Sequence, residues 1–349
     1  MIPSKGYAVH SATDKLAPWK FERRAVGAED ICIEIDYCGI CHSDIHQVRS
    51  EWSPGIYPMV PGHEIVGRII KVGSNVKKFK VGETVGVGCM VDACGTCNQC
   101  HTGHEQFCEK GETVFTYNAL ERDKQTPTYG GYSNNIVVQQ NFVLKISDKL
   151  PLQGVAPLLC AGITTYSPLR KWKIGKGHKV AVLGLGGLGH MAVKFAVSFG
   201  AEVTVLSTSA NKENDALKLG AHHFCMTKDK AQVKKYNSYF DFIIDTVSAE
   251  HNYDMYLKML AANGVQILVG IPSTPIQFSG FSLLTNGRTI TASSIGGIAE
   301  TQEMLDYCAA NNIVSDVEVI PINYCNEAYE RVLKSDVKYR FVIDLKTMV

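Results

Sequence analysis

The chain has 349 residues, of which 45% are hydrophobic and 20% charged, and its formal net charge is +1. This length favours two domains, and this composition is typical of a globular protein rather than a disordered or membrane-spanning chain. A nearly neutral chain lacks the basic surface that a polyphosphate partner requires, so we expect no nucleic-acid binding. No segment is long enough to span a bilayer, so we expect no membrane association.

Cysteine is frequent, with twelve in the chain. Residues 1–24 carry scattered charges and lack the uninterrupted apolar core of a secretory signal peptide. Without such a signal, this many cysteines fit thiols and metal ligands in a reducing compartment better than a disulfide framework. We therefore expect a cytoplasmic protein.

Short β-rich runs, broken by glycine, asparagine and lysine turns, characterise the chain before residue 150. They occur at residues 31–35, 65–72 and 83–87. This pattern predicts an irregular domain made mainly of β-strands.

Two segments of this domain, residues 38–46 and 61–64, contain candidate ligands of an open zinc site. They supply Cys41 and His63, and zinc prefers thiolate and imidazole ligands. A third candidate, Cys160, lies in an apolar segment with no other cysteine or histidine nearby. A catalytic zinc takes three protein ligands and keeps one position for water or a substrate oxygen. Each residue alone is equally well explained as a buried cysteine or a core histidine.

The densest group of cysteines lies in a polar, glycine-containing loop. Its members are Cys94, Cys97, Cys100 and Cys108. Four thiolates at this spacing predict a closed, structural zinc site with no position for a substrate. An iron–sulfur cluster is the alternative, but bacterial ferredoxin runs have three residues before the fourth cysteine and a proline after it, whereas here there are seven and Glu109 follows. We expect the nearby His101 and His104 to face solvent.

A glycine-rich turn follows a short apolar run at residues 180–183. The turn contains Gly184, Gly186, Gly187, Leu188 and Gly189. Apolar residues then recur with helical period as far as Phe199. A strand, tight turn and helix in this order are typical of a dinucleotide site, where the backbone approaches the pyrophosphate and the helix N-terminus attracts its charge. The alternative is a tight turn without a ligand.

Strand and helix patterns continue to alternate after this turn. We expect strands at residues 202–206, 240–245 and 264–269 and a helix at residues 211–219. Such alternation predicts an α/β fold with a doubly wound parallel sheet.

The two domains are not simply consecutive. An amphipathic stretch at residues 300–310 and a final strand at residues 339–344 return the chain to the first domain. We place the nucleotide-binding domain at residues 153–295, and residues 1–152 and 296–349 then form the first domain.

The end of the second strand of a dinucleotide-binding sheet decides between NAD and NADP, because a carboxylate there repels a 2′-phosphate. Ser207, Thr208 and Ser209 stand at this place, Lys212 follows, and Glu202 lies at the wrong end of the strand. Hydroxyl donors and a cation favour NADP(H). The cluster is also explained as an N-cap and turn for the next helix, and the two interpretations are compatible.

The combination of these motifs resembles the zinc-dependent medium-chain alcohol dehydrogenases, and among them the cinnamyl alcohol dehydrogenase family, nearly from end to end. The most specific pieces are residues 38–44, 57–67, 160–168 and 184–189, together with the four-cysteine loop. The resemblance implies a GroES-like catalytic domain, a Rossmann domain, two zinc ions per subunit, and a homodimer formed through the Rossmann sheets.

The resemblance also assigns metal ligands. It implies that Cys41, His63 and Cys160 bind the catalytic zinc. Glu64 would exchange onto the metal when the water position empties, and Asp44 would orient His63.

A proton relay and coenzyme contacts follow from the same resemblance. Ser43 would pass the alcohol proton toward His46, His42 would contact the pyrophosphate, and Thr164 would touch the nicotinamide. The alternatives are a helix N-cap pair formed by Ser43 and Asp44, and a surface histidine at position 46.

The substrate class is implied by the pocket positions of plant family members. Two aromatic walls of that pocket correspond to Phe115 and Ser294, so the chain keeps one and lacks the other, while Trp52 is a further candidate wall. This favours a broad enzyme that interconverts cinnamyl, benzyl and aliphatic alcohols with their aldehydes.

Two other functions remain open at the level of the sequence. A polyol dehydrogenase of the same superfamily is disfavoured by Cys160, because that branch usually has a carboxylate or water instead. A non-catalytic protein that binds NADPH and zinc on the same scaffold is disfavoured by the intact ligand set.

Overall fold

The computed structural model describes residues 1–272 and 274–348 and divides them into two compact units. The first unit comprises Met1–Ile163 and the residues from Gly296 onward, and the second comprises Thr164–Ile295. Strands dominate the first unit, whereas strands and helices alternate in the second, so the predicted α/β class is confirmed.

The strands of the described residues are, in chain order, β1 (Ile2–Ala8), β2 (Ala17–Arg23), β3 (Asp30–Gly39), β4 (Ile65–Val72), β5 (Thr84–Val87), β6 (Met90–Asp92), β7 (Val114–Phe115), β8 (Asn135–Gln139), β9 (Leu144–Lys145), β10 (Lys179–Leu183), β11 (Glu202–Ser207), β12 (His223–Met226), β13 (Phe240–Asp245), β14 (Leu260–Leu268), β15 (Thr289–Ala292), β16 (Val317–Pro321) and β17 (Arg340–Asp344).

The α-helices are α1 (His42–Val48), α2 (Asn98–His101), α3 (Leu152–Val155), α4 (Ala161–Lys171), α5 (Gly189–Ser198), α6 (Glu213–Lys218), α7 (Lys230–Lys235), α8 (Tyr253–Leu257), α9 (Gly280–Leu284), α10 (Ile298–Asn311) and α11 (Cys325–Leu333). Short 3₁₀ turns occur at Glu105–Phe107, Gln140–Phe142, Ala156–Leu159, Ala210–Lys212, Ile322–Tyr324 and Leu345–Thr347.

The main sheet of the first unit has the strand order β16-β17-β3-β4-β5-β9, and β8 also pairs with β3. The central strand β3 buries Ile31, Ile33 and Ile35, which alternate along the strand and therefore lie on one face of it. The terminal strand β17 pairs antiparallel with β3, so that Ile343 lies opposite Cys38. The terminal strand thus belongs to the main sheet of the first unit.

The sheet of the second unit is parallel, with the strand order β12-β11-β10-β13-β14-β15 within the described residues. The chain moves outward from β10 to β12 and then crosses back to β13 on the other side of β10. Residues 180–183 of β10 are buried on both faces, as strands of parallel sheets usually are. The crossing between β10 and β13 is a topological switch point, where α/β sheets bind ligands at the carboxyl ends of their strands.

Two predicted boundaries differ from the structure. We placed the first crossing between domains at residues 152 and 153, whereas residues 153–163 group with the first unit because α3 and the following 3₁₀ turn pack on β3 and β4. The helix expected at residues 211–219 is shorter, since a 3₁₀ turn precedes α6. Helical periodicity alone does not separate a 3₁₀ turn from the helix it leads into.

Within residues 1–272 and 274–348, no helix combines the length and the apolar composition that crossing a lipid bilayer requires.

Candidate metal centres and coenzyme site

The four-cysteine loop brings its sulfur atoms within 4.8 Å of one another. Cys94 Sγ lies 3.7 Å from Cys100 Sγ, and Cys97 Sγ lies 4.0 Å from Cys108 Sγ. A tetrahedral zinc with Zn–S bonds of about 2.3 Å separates its sulfur ligands by about 3.8 Å. The loop therefore has the dimensions of a four-sulfur zinc site.

Hydrogen bonds from backbone amides favour the thiolate form of Cys94, which is the form that binds a cation. The amides of Thr96 and Cys97 each donate to Cys94 Sγ over 3.3 Å, and the bond from Thr96 is the largest cause that lowers the pKa of Cys94 to about 6. Cys97 caps α2 by accepting from the amide of Cys100. His101 and His104 are exposed, as expected.

A second cluster lies in the first unit and consists of Cys41, His63, Glu64 and Cys160. Each offers a ligand atom within 4.8 Å of the others, and Cys41 Sγ lies 4.0 Å from Cys160 Sγ. The fold thus brings together the three ligands that the sequence proposed, although Cys160 comes from a segment far from the other two. The pKa of Cys41 lies well below its ordinary value, chiefly because the thiol of Cys160 donates to its sulfur.

Asp44 connects two of these ligands from a fully buried position. Its Oδ1 accepts from Nδ1 of His63 and from the amide of Gly62, each over 3.1 Å, and its Oδ2 accepts from the amide of Cys41 over 2.8 Å. Because Nδ1 of His63 faces the carboxylate, Nε2 remains for a metal. Asp44 also caps the first turn of α1, so the structural and the orienting interpretations hold together.

Glu64 is fully buried and uses only one of its two carboxylate oxygens. Oε1 pairs with the guanidinium of Arg340 on β17, while Oε2 has no hydrogen-bond partner among the residues that the structure describes. Burial raises the pKa of Glu64 to about 8, although Arg340 counteracts this shift. A Cβ at Gly39 would lie 1.9 Å from Oε2, so only glycine fits there. A buried carboxylate oxygen without a partner, beside two thiols and an imidazole, fits an open zinc site.

The relay residues lie on and just after α1. Ser43 Oγ lies 2.9 Å from Cys41 Sγ, which places the hydroxyl at the metal cluster. Nδ1 of His46 lies 2.5 Å from Oε2 of Glu51, a residue that the sequence analysis missed. An acidic residue shortly after a relay histidine is the only sequence signal for this pair.

The three residues predicted to line the substrate pocket lie in different parts of the structure. Trp52 is 49% exposed and stacks on His46 at 4.7 Å, and the ring of His42 stacks on the same histidine at 5.7 Å. Phe115 is 48% exposed and pairs with Met90 across β6 and β7. Ser294 lies in the second unit, exposed, just after β15.

Three glycines of the turn between β10 and α5 have different steric surroundings. Gly184 has φ of +89°, a conformation that favours glycine. A Cβ at Gly186 would meet no heavy atom within 4 Å, whereas a Cβ at Gly189 would lie 2.2 Å from the carbonyl oxygen of Gly184. Gly186 thus leaves the turn open to a phosphate, and Gly189 lets α5 pack against β10. Leu188 follows Gly187 as the N-cap of α5.

The hydroxyl cluster after β11 is open to a ligand. Ser207 Oγ is buried and accepts from the amide of Ser209, whereas the Thr208 and Ser209 side chains are exposed. Ser209 is the N-cap of the following 3₁₀ turn, yet its hydroxyl makes no capping hydrogen bond. Lys212 ends that turn, while Glu202 at the start of β11 accepts from the hydroxyl of Tyr239.

Thr164, the predicted nicotinamide contact, is buried in the first half of α4.

Comparison with known proteins agrees with this geometry. Residues 27–148 match the alcohol dehydrogenase GroES-like domain, and residues 187–310 match the zinc-binding dehydrogenase family. The chain is 54% identical to NADP-dependent alcohol dehydrogenase C 1 of Mycolicibacterium smegmatis, covering 100% of this chain and 99% of the relative.

Two solved structures are similar over their whole length. A cinnamyl alcohol dehydrogenase from Sorghum bicolor superposes with a TM-score of 0.96 at 44% identity, covering 99% of this chain and 98% of the other. A cinnamyl alcohol dehydrogenase from Helicobacter pylori in complex with NADP(H) gives 0.93 at 47% identity, covering 100% and 99%.

The chain belongs to the zinc-dependent medium-chain alcohol dehydrogenases. By family membership it is an alcohol dehydrogenase, and within the family it is similar to the cinnamyl alcohol dehydrogenases.

The turn glycines give a matched pair of variants. Gly189→Ala should lower the free energy of unfolding by about 1–3 kcal/mol, because its methyl group collides with the backbone of Gly184. Gly186→Ala should melt close to the parent protein but raise the Kd for NADPH by about tenfold or more, because the methyl group displaces a phosphate from its amide donors. Thermal melting and NADPH fluorescence titration measure the two effects. Equal melting temperatures for the two variants would contradict the steric assignment.

Proposed function

We propose that this chain is an NADP(H)-dependent zinc alcohol dehydrogenase of broad specificity that interconverts primary alcohols and aldehydes. The observation that carries the proposal is the cluster of Cys41, His63 and Cys160 beside the Ser43 hydroxyl, with the partly exposed His46 on the same helix as Ser43. The cluster offers a site for a metal and a substrate oxygen, and the hydroxyl offers that oxygen's proton a first acceptor. These are the requirements of alcohol oxidation.

Zinc and NADP(H) are the cofactors. Cys41, His63 and Cys160 hold the catalytic zinc, and Cys94, Cys97, Cys100 and Cys108 hold the structural one. When bound, the catalytic ion polarises the substrate oxygen and lowers the pKa of the alcohol, and the nicotinamide accepts or returns the hydride. Oε2 of Glu64 is available as an alternative ligand because nothing else in the structure binds it.

We assign the pathway of the alcohol proton to side chains of α1. Ser43 accepts the alcohol proton and passes its own toward His46, which exchanges protons with solvent. The carboxylate of Glu51 holds Nδ1–H of His46, so that Nε2 is the basic atom of the ring. In aldehyde reduction the same residues deliver a proton in the opposite direction.

The coenzyme preference rests on the cluster after β11. Thr208 and Ser209 offer exposed hydroxyls, Lys212 offers a cation, and no carboxylate stands at this end of the strand. This set suits the dianionic 2′-phosphate of NADP(H). We also assign His42 to the pyrophosphate and Thr164 to the nicotinamide.

The breadth of specificity rests on the exposed aromatic side chains of the first unit. Trp52 stacks on the relay histidine, and Phe115 is followed by Thr116, whose amide donates to the carbonyl of Cys89. Trp52 therefore lies at the relay, and the half-exposed rings of Trp52 and Phe115 offer flat apolar surface, which discriminates weakly between alcohols.

A panel of substrates tests this proposal. With NADPH, cinnamaldehyde, benzaldehyde and hexanal should be reduced with kcat/KM values within about one order of magnitude of one another, since apolar contacts discriminate weakly. NADH should be less efficient by about tenfold or more, because it lacks the phosphate that the hydroxyls and Lys212 bind. Strict preference for cinnamaldehyde, equal efficiency with NADH, or faster oxidation of mannitol would each contradict one part of the proposal.

The metal assignment is tested by Cys160→Ala. The variant should contain one zinc ion per chain instead of two and lose activity by on the order of a thousandfold or more, because it lacks one of three ligands of the ion that stabilises the transition state. Cys308→Ala removes another fully buried thiol of the same unit and is the control, which should retain both ions. Elemental analysis and NADPH-linked assays measure both. Two zinc ions per chain in the Cys160 variant would contradict the assignment. A parent protein without zinc would favour a non-catalytic scaffold.

The proposal includes a cytoplasmic homodimer. All twelve cysteines are free thiols, which suits a reducing compartment. In the second unit, β15 is an edge strand, and Phe281 and Leu284 on the nearby α9 are each 75% exposed. An edge strand next to exposed apolar side chains is a typical site for a second copy of the same chain.

Leu284→Asp should therefore convert the protein from a dimer to a monomer, because it places a charge in the apolar contact. Leu217→Asp, at an exposed leucine of α6, which contacts the opposite edge strand β12, should leave the dimer intact. Sedimentation equilibrium distinguishes the two, and a parent protein that sediments as a monomer would refute the dimer.

A further inference from the structure

Asp245, the last residue of β13, ties three elements together at the carboxyl edge of the second unit's sheet. Its carboxylate accepts from the amide of Val247 over 3.2 Å, from Nε2 of Gln266 on β14 over 2.8 Å, and from Nε2 of His251 over 2.9 Å. Asp245 and Gln266 are fully buried. Residues 246–251 thus form a short loop. The carboxylate of Asp245 accepts hydrogen bonds from both ends of this loop, at Val247 and at His251.

Both ring nitrogens of His251 face acceptors. Nε2 faces Oδ2 of Asp245, and Nδ1 faces the carbonyl oxygen of Ala249 over 2.9 Å. Neither a carboxylate nor a carbonyl donates a hydrogen bond, so both contacts are satisfied only when both nitrogens carry protons. The geometry therefore describes an imidazolium, whose ring lies against Tyr253 with 4.2 Å between centroids.

The same loop begins against the glycine-rich turn. The amide and hydroxyl of Thr246 donate to the carbonyl of Leu183 over 3.1 and 2.7 Å. A Cβ at Gly184 would lie 3.0 Å from Oγ1 of Thr246. Since dinucleotides bind at the switch point between β10 and β13, residues 246–251 form one wall of the coenzyme cleft of this unit.

We propose that protonated His251 is a positioning residue for the coenzyme, which closes the loop of residues 246–251 onto Asp245 and so makes NADP(H) affinity depend on pH. The inference rests on the proposed function, because it takes NADP(H) as the ligand of this cleft. Loss of the ring proton breaks one of the two hydrogen bonds of His251, so that residues 246–251 are no longer held against Asp245. The loop then has to be ordered at the expense of coenzyme affinity.

Near neutral pH, His251 is the group in this contact that changes its charge. The titratable groups that face it are Asp245 from β13 and Tyr253 and Tyr256 from α8. Burial raises the pKa of both tyrosines, that of Tyr253 to about 12, so neither ionises near neutral pH. Burial, the largest single effect, lowers the pKa of His251, but the hydrogen bond and the charge of Asp245 and the carbonyl of Ala249 together outweigh it, and the net shift is upward from 6.5. A raised pKa means that the closed loop is fully stabilised below about pH 6.5 and loses this stabilisation as the pH rises through the folded-state pKa.

The experiment measures the Kd of the parent holoenzyme for NADPH by fluorescence, without alcohol, from about pH 6 to about pH 8.5. The matched variants are His251→Gln, which cannot become charged, and His223→Gln, which removes an exposed histidine paired with Glu202 at the amino ends of β11 and β12. The 2′-phosphate of NADPH also titrates near pH 6, but it does so equally with every protein.

The Kd of the parent protein and of His223→Gln should rise across this range by about tenfold more than that of His251→Gln, the factor expected from one hydrogen bond. His251→Gln should bind at low pH as weakly as the parent protein binds at high pH. Parallel profiles for all three proteins, even with a lower melting temperature for His251→Gln, would show a merely structural role and overturn the inference alone. A parent protein that binds no NADPH at any pH would remove the proposed function and this inference with it.

Discussion

The buried carboxylate of Asp44 is the constraint on which the catalytic unit depends. It accepts hydrogen bonds from the backbone at Cys41 and at Gly62 and from the ring of His63. Two segments separated in the sequence are thereby fixed to one another through a single side chain, and both carry a metal ligand. A carboxylate removed from water is stable only with such donors, so the fold of these segments and the orientation of the ligands have the same physical cause.

The two metal clusters differ in what surrounds them. The four-cysteine loop is made from one short stretch, and its thiols accept hydrogen bonds from their own backbone. The open cluster takes its groups from α1, the approach to β4, and the segment before α4, and it includes a carboxylate that Arg340 holds only by one oxygen. The first arrangement takes all its ligands from one stretch of chain, whereas the second exists only after the sheet has been assembled.

Local features of the sequence were sufficient for much of the fold. Cysteine spacing predicted the four-sulfur loop, and the glycine-rich turn with its flanking apolar periods predicted β10, α5 and the parallel sheet. Contacts between distant residues gave no local signal. Glu64, next to β4, meets Arg340 of β17 across the intervening β3, and Asp245 meets Gln266 on the neighbouring strand, so both contacts exist only in the assembled sheets. The domain boundary failed for a similar reason, since residues 153–163 belong with strands formed more than 60 residues earlier.

The position of β17 has a consequence for biosynthesis. This strand lies between β16 and β3, and it carries the arginine that meets Glu64, yet it follows the whole nucleotide-binding unit in the sequence. The nucleotide-binding unit, residues 164–295, leaves the ribosome complete while its partner unit still lacks an interior strand. A nascent chain stopped before residue 340 therefore has an intact Rossmann sheet and an unfinished catalytic one, with two sheet edges open to wrong pairings.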